Sequence, residues 1–219
     1  MPCLMAVVCG PRTGPSAPTG LMVVKSTSSV SFRPRQRLLL SDRRLAEGVN
    51  LNAANQITLH TGPSCLMNEA ANMVGNLVGN TCTSSNGANA GCAVGQSGNN
   101  SFGHGFNEQA GGVYAHLWND DAIQVWFFPR GQIPADVTAK NPNPSSWGTP
   151  TANFPSQSSC QIGDHFQSHQ LVIDTTLCGD WAGAAFGQDG CSGSCSDFVA
   201  DPANFQSKFP LSALVCDNN

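Results

Sequence analysis

The sequence has little charge and almost no positive charge outside its first part. Only 11% of its 219 residues are charged, and a single Tyr is present. Seven of the ten Lys and Arg lie in residues 1–46, whereas residues 47–206 contain only Arg130 and Lys140 against twelve acids. Nucleic-acid binding depends on basic patches, so the body of the chain is not expected to bind nucleic acid.

Long apolar runs are also missing. No run approaches the roughly 20 residues that span a bilayer, so no membrane partner is expected. The apolar run from Cys3 to Cys9 is short and has no basic residue before it, so no signal peptide is visible. The 23 Gly and 14 Pro favour turns and short strands over long helices.

Cysteine, in contrast, is abundant. The nearest pair among the ten cysteines is Cys191 and Cys195, with no matching second pair. This spacing favours disulfides over a metal site and predicts an oxidising, extracellular location. Asn99-Asn100-Ser101 is a glycosylation acceptor sequence, which fits secretion. No metal and no cofactor is expected.

Two stretches of the chain show no regular pattern. Residues 1–46 are broken by prolines and end in a basic run, which favours a disordered basic tail over a targeting segment. Residues 62–110 are predicted to be loop-rich, with Cys65, Cys82 and Cys92 as the points that fix the loop.

The clearest predicted element is a hairpin of residues 111–118 and 122–128, joined by a polar loop at 119–121. Alternation predicts one aliphatic core face and one mixed face. The mixed face contains Tyr114, His116, Trp118, Gln124, Trp126 and Phe128. Such a face fits either a sugar ring or a second core layer.

Further along, residues 170–178 are predicted to form a strand, and residues 197–205 a short helix. Several short strands with frequent turns predict an all-β sandwich in a single domain.

Eight short segments then occur in a fixed order. They are EGVN, LHTGPSC, VWFFPRG, PSSWGTP, GDHF, DTTLCGDWAG, GCSGSC and the short segment that follows. In this order they resemble fungal laminarinase-like members of glycoside hydrolase family 16, the endo-β-1,3(4)-glucanases. The resemblance divides the chain into a non-family segment at 1–46, a partial family domain at 47–206 and a non-family tail at 207–219.

The resemblance implies a jelly-roll sandwich of two curved antiparallel sheets (concanavalin A-like), incomplete in this chain. It further implies a secreted monomer whose concave face holds a β-glucan chain. The family's catalytic motif is E-(I/V)-D-(I/V)-(I/V)-E, in which the first Glu is the nucleophile and the last is the acid/base. Retention of configuration needs two such carboxyls about 5–5.5 Å apart.

Alignment through EGVN places Glu47 at the acid/base position. Asp42 falls in register with the nucleophile, and Arg44 falls where the family has an orienting Asp. Asp is one methylene shorter than Glu, and Arg44 is a cation in place of an anion. The literal chain is therefore expected to be impaired as a hydrolase, and the alternative is a non-catalytic β-glucan-binding protein.

Five residues are implied to bind substrate, each with a structural alternative. His60 is implied to line the cleft near the acid/base, or else to be a strand histidine bonded to the backbone. Trp118 and Trp126 are implied to be sugar platforms, or else core residues. Asp180 and Trp181 resemble the family's cleft wall, with a buried turn aspartate as the alternative for Asp180.

One hypothesis accounts for both ends of the chain. Codons for residues 4–30, read two bases later, permit YGCGVWPAYWTFGPNWPNGGEIDVI, which resembles the family's segment before EGVN. Val30-Ser31 and Ser207-Lys208 permit splice-donor strings, and Ala46-Glu47 permits an acceptor. Residues 1–29 are then an out-of-frame translation, and 30–46 and 207–219 are translated intron. A mature message that encodes the first residues in frame would contradict it.

Overall fold

The fold is an antiparallel sandwich of two small sheets. The computed structural model describes residues 37–41, 55–67, 71–83, 90–98, 100–166, 178–188 and 191–201, with only the backbone given at 37–41 and at a few helical positions. The strands are β1 (Arg37–Ser41), β2 (Asn55–Leu59), β3 (Asn76–Gly79), β4 (Cys92–Gln96), β5 (Gly112–Trp118), β6 (Ala122–Pro129) and β7 (Ala152–Pro155). Sheet A has the order β1-β5-β6-β7, and sheet B has the order β2-β4-β3.

The helices are short. They are α1 (Gly103–Glu108), α2 (Ala135–Thr138), α3 (Ile162–His165), α4 (Gly179–Gln188) and α5 (Cys195–Ala200), with 3-10 turns at Arg130–Gln132 and Pro144–Ser146. Among the described residues, no helix has the length and apolar character needed to cross a bilayer. The prediction of an all-β sandwich with few helices is confirmed.

The main core lies between the two sheets. Val94 of β4, Val125 of β6 and Phe154 of β7 are almost fully buried in one cluster, and Ile57 and Leu59 of β2 pack against it. Burial of Val94, Val125 and Phe154 stabilises the fold by about 1.5–3 kcal/mol each.

The predicted hairpin forms, but its faces were assigned wrongly. The loop consists of residues 119–121, as predicted, and the Asn119 side-chain oxygen accepts from the amides of Asp121 and Ala122. The Asn119 amide donates to the Ala122 carbonyl at 3.1 Å, and Trp118 pairs with Ile123. A shift of one residue in the pairing between strands reverses which residues share a face.

The core face of the hairpin thus contains members of both predicted faces. It consists of Tyr114, His116, Trp118, Ile123, Val125 and Phe127. The outer face consists of Val113, Ala115, Leu117, Gln124, Trp126 and Phe128. Trp118 and Trp126, predicted to share a face, lie on opposite sides of sheet A.

Two other predictions need correction, and a third gains detail. Arg37–Ser41, within the predicted tail, forms a strand that pairs with β5. The stretch 62–110, predicted to be loop-rich, also contains the short elements β3, β4 and α1, and Cys92 and Val94 of β4 alternate into the core. The last helix is Cys195–Ala200 rather than 197–205, and Ser194 caps its N-terminus with a hydroxyl that accepts from the Asp197 amide. The strand predicted at 170–178 falls almost wholly outside the described residues.

The cysteine prediction is confirmed. Disulfides join Cys65 to Cys160, Cys82 to Cys92, and Cys178 to Cys195. Cys191 is also disulfide-bonded. The three residues predicted to fix the long loop are therefore all bridged.

Candidate active site

The two predicted catalytic carboxyls cannot be placed. Glu47 and Asp42 lie outside the described residues, as does Arg44. Asp180 and Trp181 fall in the first turn of α4, where only the backbone is described. Their roles stay predictions, and the described part of the site is the strand that follows Glu47 in the sequence.

That strand, β2, turns one face to the core and the other away from it. Asn55, Ile57 and Leu59 face the core, so alternation places Gln56, Thr58 and His60 on the outer face of sheet B. The Gln56 side-chain amide donates to the Thr58 hydroxyl at 2.9 Å, which shows that they share this face. Predicted site residue His60 is half-buried at the end of the strand.

The residues beside β2 on this face are small. In the ladder, Gly95 pairs with Gln56, and Ala93 pairs with Thr58. A Cβ added at Gly95 would lie 3.3 Å from Cγ1 of Val78 on β3, so this glycine leaves room for the Val78 side chain. The outer face therefore combines polar side chains on β2 with the small residues Ala93 and Gly95 on β4.

Gly91, the residue before β4, lies against the side chain of His60. Its φ is +70°, in the region that favours glycine, and a Cβ there would lie 2.5 Å from the Leu59 carbonyl oxygen and 2.8 Å from His60 Cε1. The His60 ring thus lies directly against the backbone just before β4. Sequence reasoning missed this contact, for which the only local signal was the pair Gly91-Cys92.

Hydrogen bonds and a disulfide fix the segment after His60 to other parts of the chain. The Thr61 amide donates to the Cys82 carbonyl at 2.8 Å. Leu66 and Ser159 bond twice, from the Leu66 amide to the Ser159 carbonyl at 3.0 Å and from the Ser159 hydroxyl to the Leu66 carbonyl at 2.7 Å. The neighbouring Cys65–Cys160 disulfide joins the same two segments. His60 is thus carried by a fixed part of the chain.

A buried polar network holds the start of β2. The Tyr114 hydroxyl accepts from the Asn55 side-chain amide at 2.9 Å and donates to the Ser101 carbonyl at 2.5 Å. It also lies 3.5 Å from the side-chain oxygen of Gln96. Burial raises the pKa of Tyr114, although its bonds to Ser101 and Asn55 oppose this, so the hydroxyl stays neutral.

Trp126 has the surroundings of a core residue. It is 4% exposed, its indole N–H donates to the Gly148 carbonyl at 3.0 Å, and its ring meets Trp147 edge-on at 5.3 Å. Trp147 in turn donates to Asp136 at 2.8 Å. The Asn143 amide, and then Trp147, lower the pKa of Asp136, so the acceptor is charged. The described contacts favour the core alternative for Trp126.

Trp118 and His116 lie on the opposite side of sheet A. Trp118 is half-buried and packs against the main core. His116 pairs with Val125, and burial lowers its pKa to about 4, so the ring is neutral near pH 7. Neither residue shares a face with Trp126, so the predicted mixed aromatic surface does not form.

One grouping has the composition of a metal site. The sulfurs of Cys65 and Cys160 and a ring nitrogen of His165 lie within 4.8 Å of one another. The two sulfurs are bonded to each other, so neither is available as a thiolate ligand.

Comparison with known proteins agrees with the geometry of the fold. Residues 45–212 match the model of the XgeA-like catalytic GH16 domain. A probable endo-1,3(4)-beta-glucanase of Aspergillus fumigatus is 44% identical over 174 residues, and the match covers 75% of this chain and 26% of that protein. The chain thus spans about a quarter of that relative's length.

Solved structures are similar as well. Laminarinase 16A from Phanerochaete chrysosporium, solved with 6-O-glucosyl-laminaritriose in donor and acceptor sites, is 38% identical with a TM-score of 0.67, covering 78% of this chain and 62% of that one. An elongating GH family 16 beta-1,3-glucosyltransferase is 40% identical with a TM-score of 0.64, covering 75% and 57%. The chain belongs to glycoside hydrolase family 16, in the group of XgeA-like catalytic domains.

Proposed function

We propose that this chain binds β-glucan along the outer face of sheet B, and that its reaction is retaining hydrolysis of internal β-1,3 or mixed β-1,3/1,4 linkages. The observation that carries the proposal is the family match, which includes Glu47 and His60. The outer-face position of His60, supported by Gly91, agrees with a role beside the acid/base.

In this reaction Glu47 protonates the leaving oxygen and later activates water, which requires a carboxyl group that can both give and take a proton. A second carboxylate must attack the anomeric carbon from the other side. Asp42 is in register for that role but is shorter, and a misplacement of about 1 Å can cost on the order of 100-fold in rate. Arg44 would also hold a nearby carboxyl group in its ionised form without orienting it as the family's Asp does.

A second candidate function follows from the same two positions. A chain with Asp42 and Arg44 in place of the Glu and Asp of the motif lacks the family's carboxylate pair. The retained outer face of β2 then supports a non-catalytic β-glucan-binding protein. The predicted partner, β-glucan, is the same in both cases, and a secreted monomer is proposed for both.

Hydrolysis is tested by reducing-sugar release from laminarin. We expect the chain to release little sugar, and we expect Glu47→Gln to abolish this release. The double variant Asp42→Glu with Arg44→Asp restores the E-x-D-x-x-E pattern and should raise the rate by on the order of 100-fold. No rise, in a variant that melts like the parent, would contradict the assignment of Asp42 to the nucleophile position.

Binding is tested separately by retention on insoluble β-glucan. His60→Ala should weaken retention by about ten-fold, the equivalent of one hydrogen bond. His165→Ala is the matched control, because His165 is equally half-buried but lies at the end of α3 beside a disulfide. Retention without sugar release supports the binding protein. If His60→Ala reduces neither retention nor sugar release, the result argues against the proposed face.

A further inference from the structure

The hydroxyl group of Ser101 has no structural use that the described residues reveal. Ser101 is 0% exposed, and within the described part of the chain its Oγ has no hydrogen-bond partner. Its backbone carbonyl accepts a hydrogen bond from Tyr114. An unpaired buried hydroxyl costs stability because it gives up its hydrogen bonds to water. Alanine would therefore serve the fold at least as well.

The sequence supplies a reason for this serine. Asn99-Asn100-Ser101 is the only Asn-x-Ser/Thr triplet in the chain whose middle residue is not Pro; the other triplet, Asn143-Pro144-Ser145, is blocked by Pro144. Attachment of an N-linked oligosaccharide requires the hydroxyl group two residues after the asparagine. It takes place on the chain before folding, so burial of Ser101 in the finished fold does not prevent it.

The surroundings of the triplet fit a modified loop. Asn99 itself lies outside the described residues, but Gly98 and Asn100 on either side are exposed, in the connection between β4 and α1. The disulfides of the chain indicate folding in an oxidising compartment, which in eukaryotes is where N-linked oligosaccharides are attached.

We propose that Asn99 carries an N-linked oligosaccharide, and that the hydroxyl of Ser101 serves its attachment rather than the fold. Ser101 lies near the end of sheet B where Gln96 pairs with Asn55, because the Tyr114 hydroxyl bonds to both Asn55 and Ser101. Leu59, the residue before His60, pairs with Cys92 at the other end. The modification is independent of the proposed glucan site and of whether the chain is an active hydrolase.

The test is secretion of the full chain from a glycosylating yeast, followed by treatment with peptide N-glycosidase in ¹⁸O-labelled water and peptide mapping. We expect Asn99 to be converted to labelled Asp, and the peptide with Asn143 to stay unlabelled as an internal control. Asn99→Gln and Ser101→Ala should each abolish the mass loss on deglycosylation. A secreted chain with no oligosaccharide at Asn99 would overturn the proposal.

The role of the hydroxyl is tested on the unglycosylated chain, produced in an oxidising bacterial strain. Ser101→Ala should leave Tm unchanged or raise it. Thr151→Val is the matched control, because Thr151 is also buried but its hydroxyl accepts from the Phe127 amide at 3.2 Å, so that variant should lower Tm. An equal loss in both variants would mean that the fold uses the Ser101 hydroxyl, against the proposal.

Discussion

At the scale of single residues, Gly91 is the position where backbone conformation and a candidate site residue meet. Alanine there would combine a φ of +70° with a Cβ 2.5 Å from the Leu59 carbonyl oxygen. We expect Gly91→Ala to lower the free energy of unfolding by about 2–4 kcal/mol in urea denaturation, and to weaken glucan retention by displacing His60.

Gly148 provides the control for this substitution. Its φ is +74°, but nothing lies within 4 Å of an added Cβ. Gly148→Ala should therefore cost only the conformational part, about 1–2 kcal/mol. Equal losses of unfolding free energy in Gly91→Ala and Gly148→Ala would show that the contact of Gly91 with β2 does not contribute to stability.

His116 predicts a pH dependence of stability. Its pKa is lowered by burial to about 4, whereas the unfolded chain has an ordinary value near 6.5. The unfolded state thus binds more protons between these values, so stability is complete above about pH 6.5 and falls as the pH drops toward 4. The loss is at most about 3 kcal/mol, and less because the ring retains partial contact with solvent.

Urea denaturation of His116→Gln against the parent, from pH 7.5 to 4, measures this contribution. The variant should lack the part of the pH dependence that lies between about 6.5 and 4. Normalising both proteins at pH 7.5 removes the effect of the substitution on packing. Parallel curves for the two proteins would mean that His116 is not the group responsible.

At the scale of elements, Tyr114 connects the two sheets. Its hydroxyl on β5 joins Asn55 at the start of β2 to Ser101 in the loop before α1. Tyr114→Phe leaves both partners without this bond, and we expect it to cost about 1–3 kcal/mol of unfolding free energy.

A double-mutant cycle with Asn55→Ala tests whether this is a direct interaction. The double variant should lose less than the sum of the single variants, with a coupling of about 0.5–3 kcal/mol. Additive losses would indicate that the hydroxyl stabilises the fold through its bond to Ser101 and not through Asn55, because Phe keeps the ring contact with Phe127.

At the scale of the whole molecule, two disulfides contribute unequally. Cys65–Cys160 closes a separation of 95 residues and Cys82–Cys92 one of 10. Chain entropy predicts a loss of about 5 kcal/mol for the paired Ala replacement of the first and about 3 kcal/mol for the second. Thermal denaturation of the two paired variants compares them, and the reverse order would contradict an entropic origin.

The sequence alone was sufficient for the class of fold, the disulfide chemistry and the family. These follow from local or cumulative signals: short alternating strands, ten cysteines without metal spacing, and eight segments in a fixed order. It also identified His60 as a candidate, through the segment LHTGPSC. The proposed role of Glu47 depends on the same kind of signal and stays a prediction.

The tertiary structure decided which residues share a surface. The bond from the Asn119 amide to the Ala122 carbonyl accompanies the pairing of Trp118 with Ile123, which puts Trp118 on the core-facing side of sheet A and Trp126 on the other side. Gly91 meets His60, and Tyr114 meets Asn55, only because strands far apart in sequence pair or stack. Alternation reports which side chains of one strand point the same way. The register between strands is set by turn geometry and long-range packing, which a single sequence does not specify.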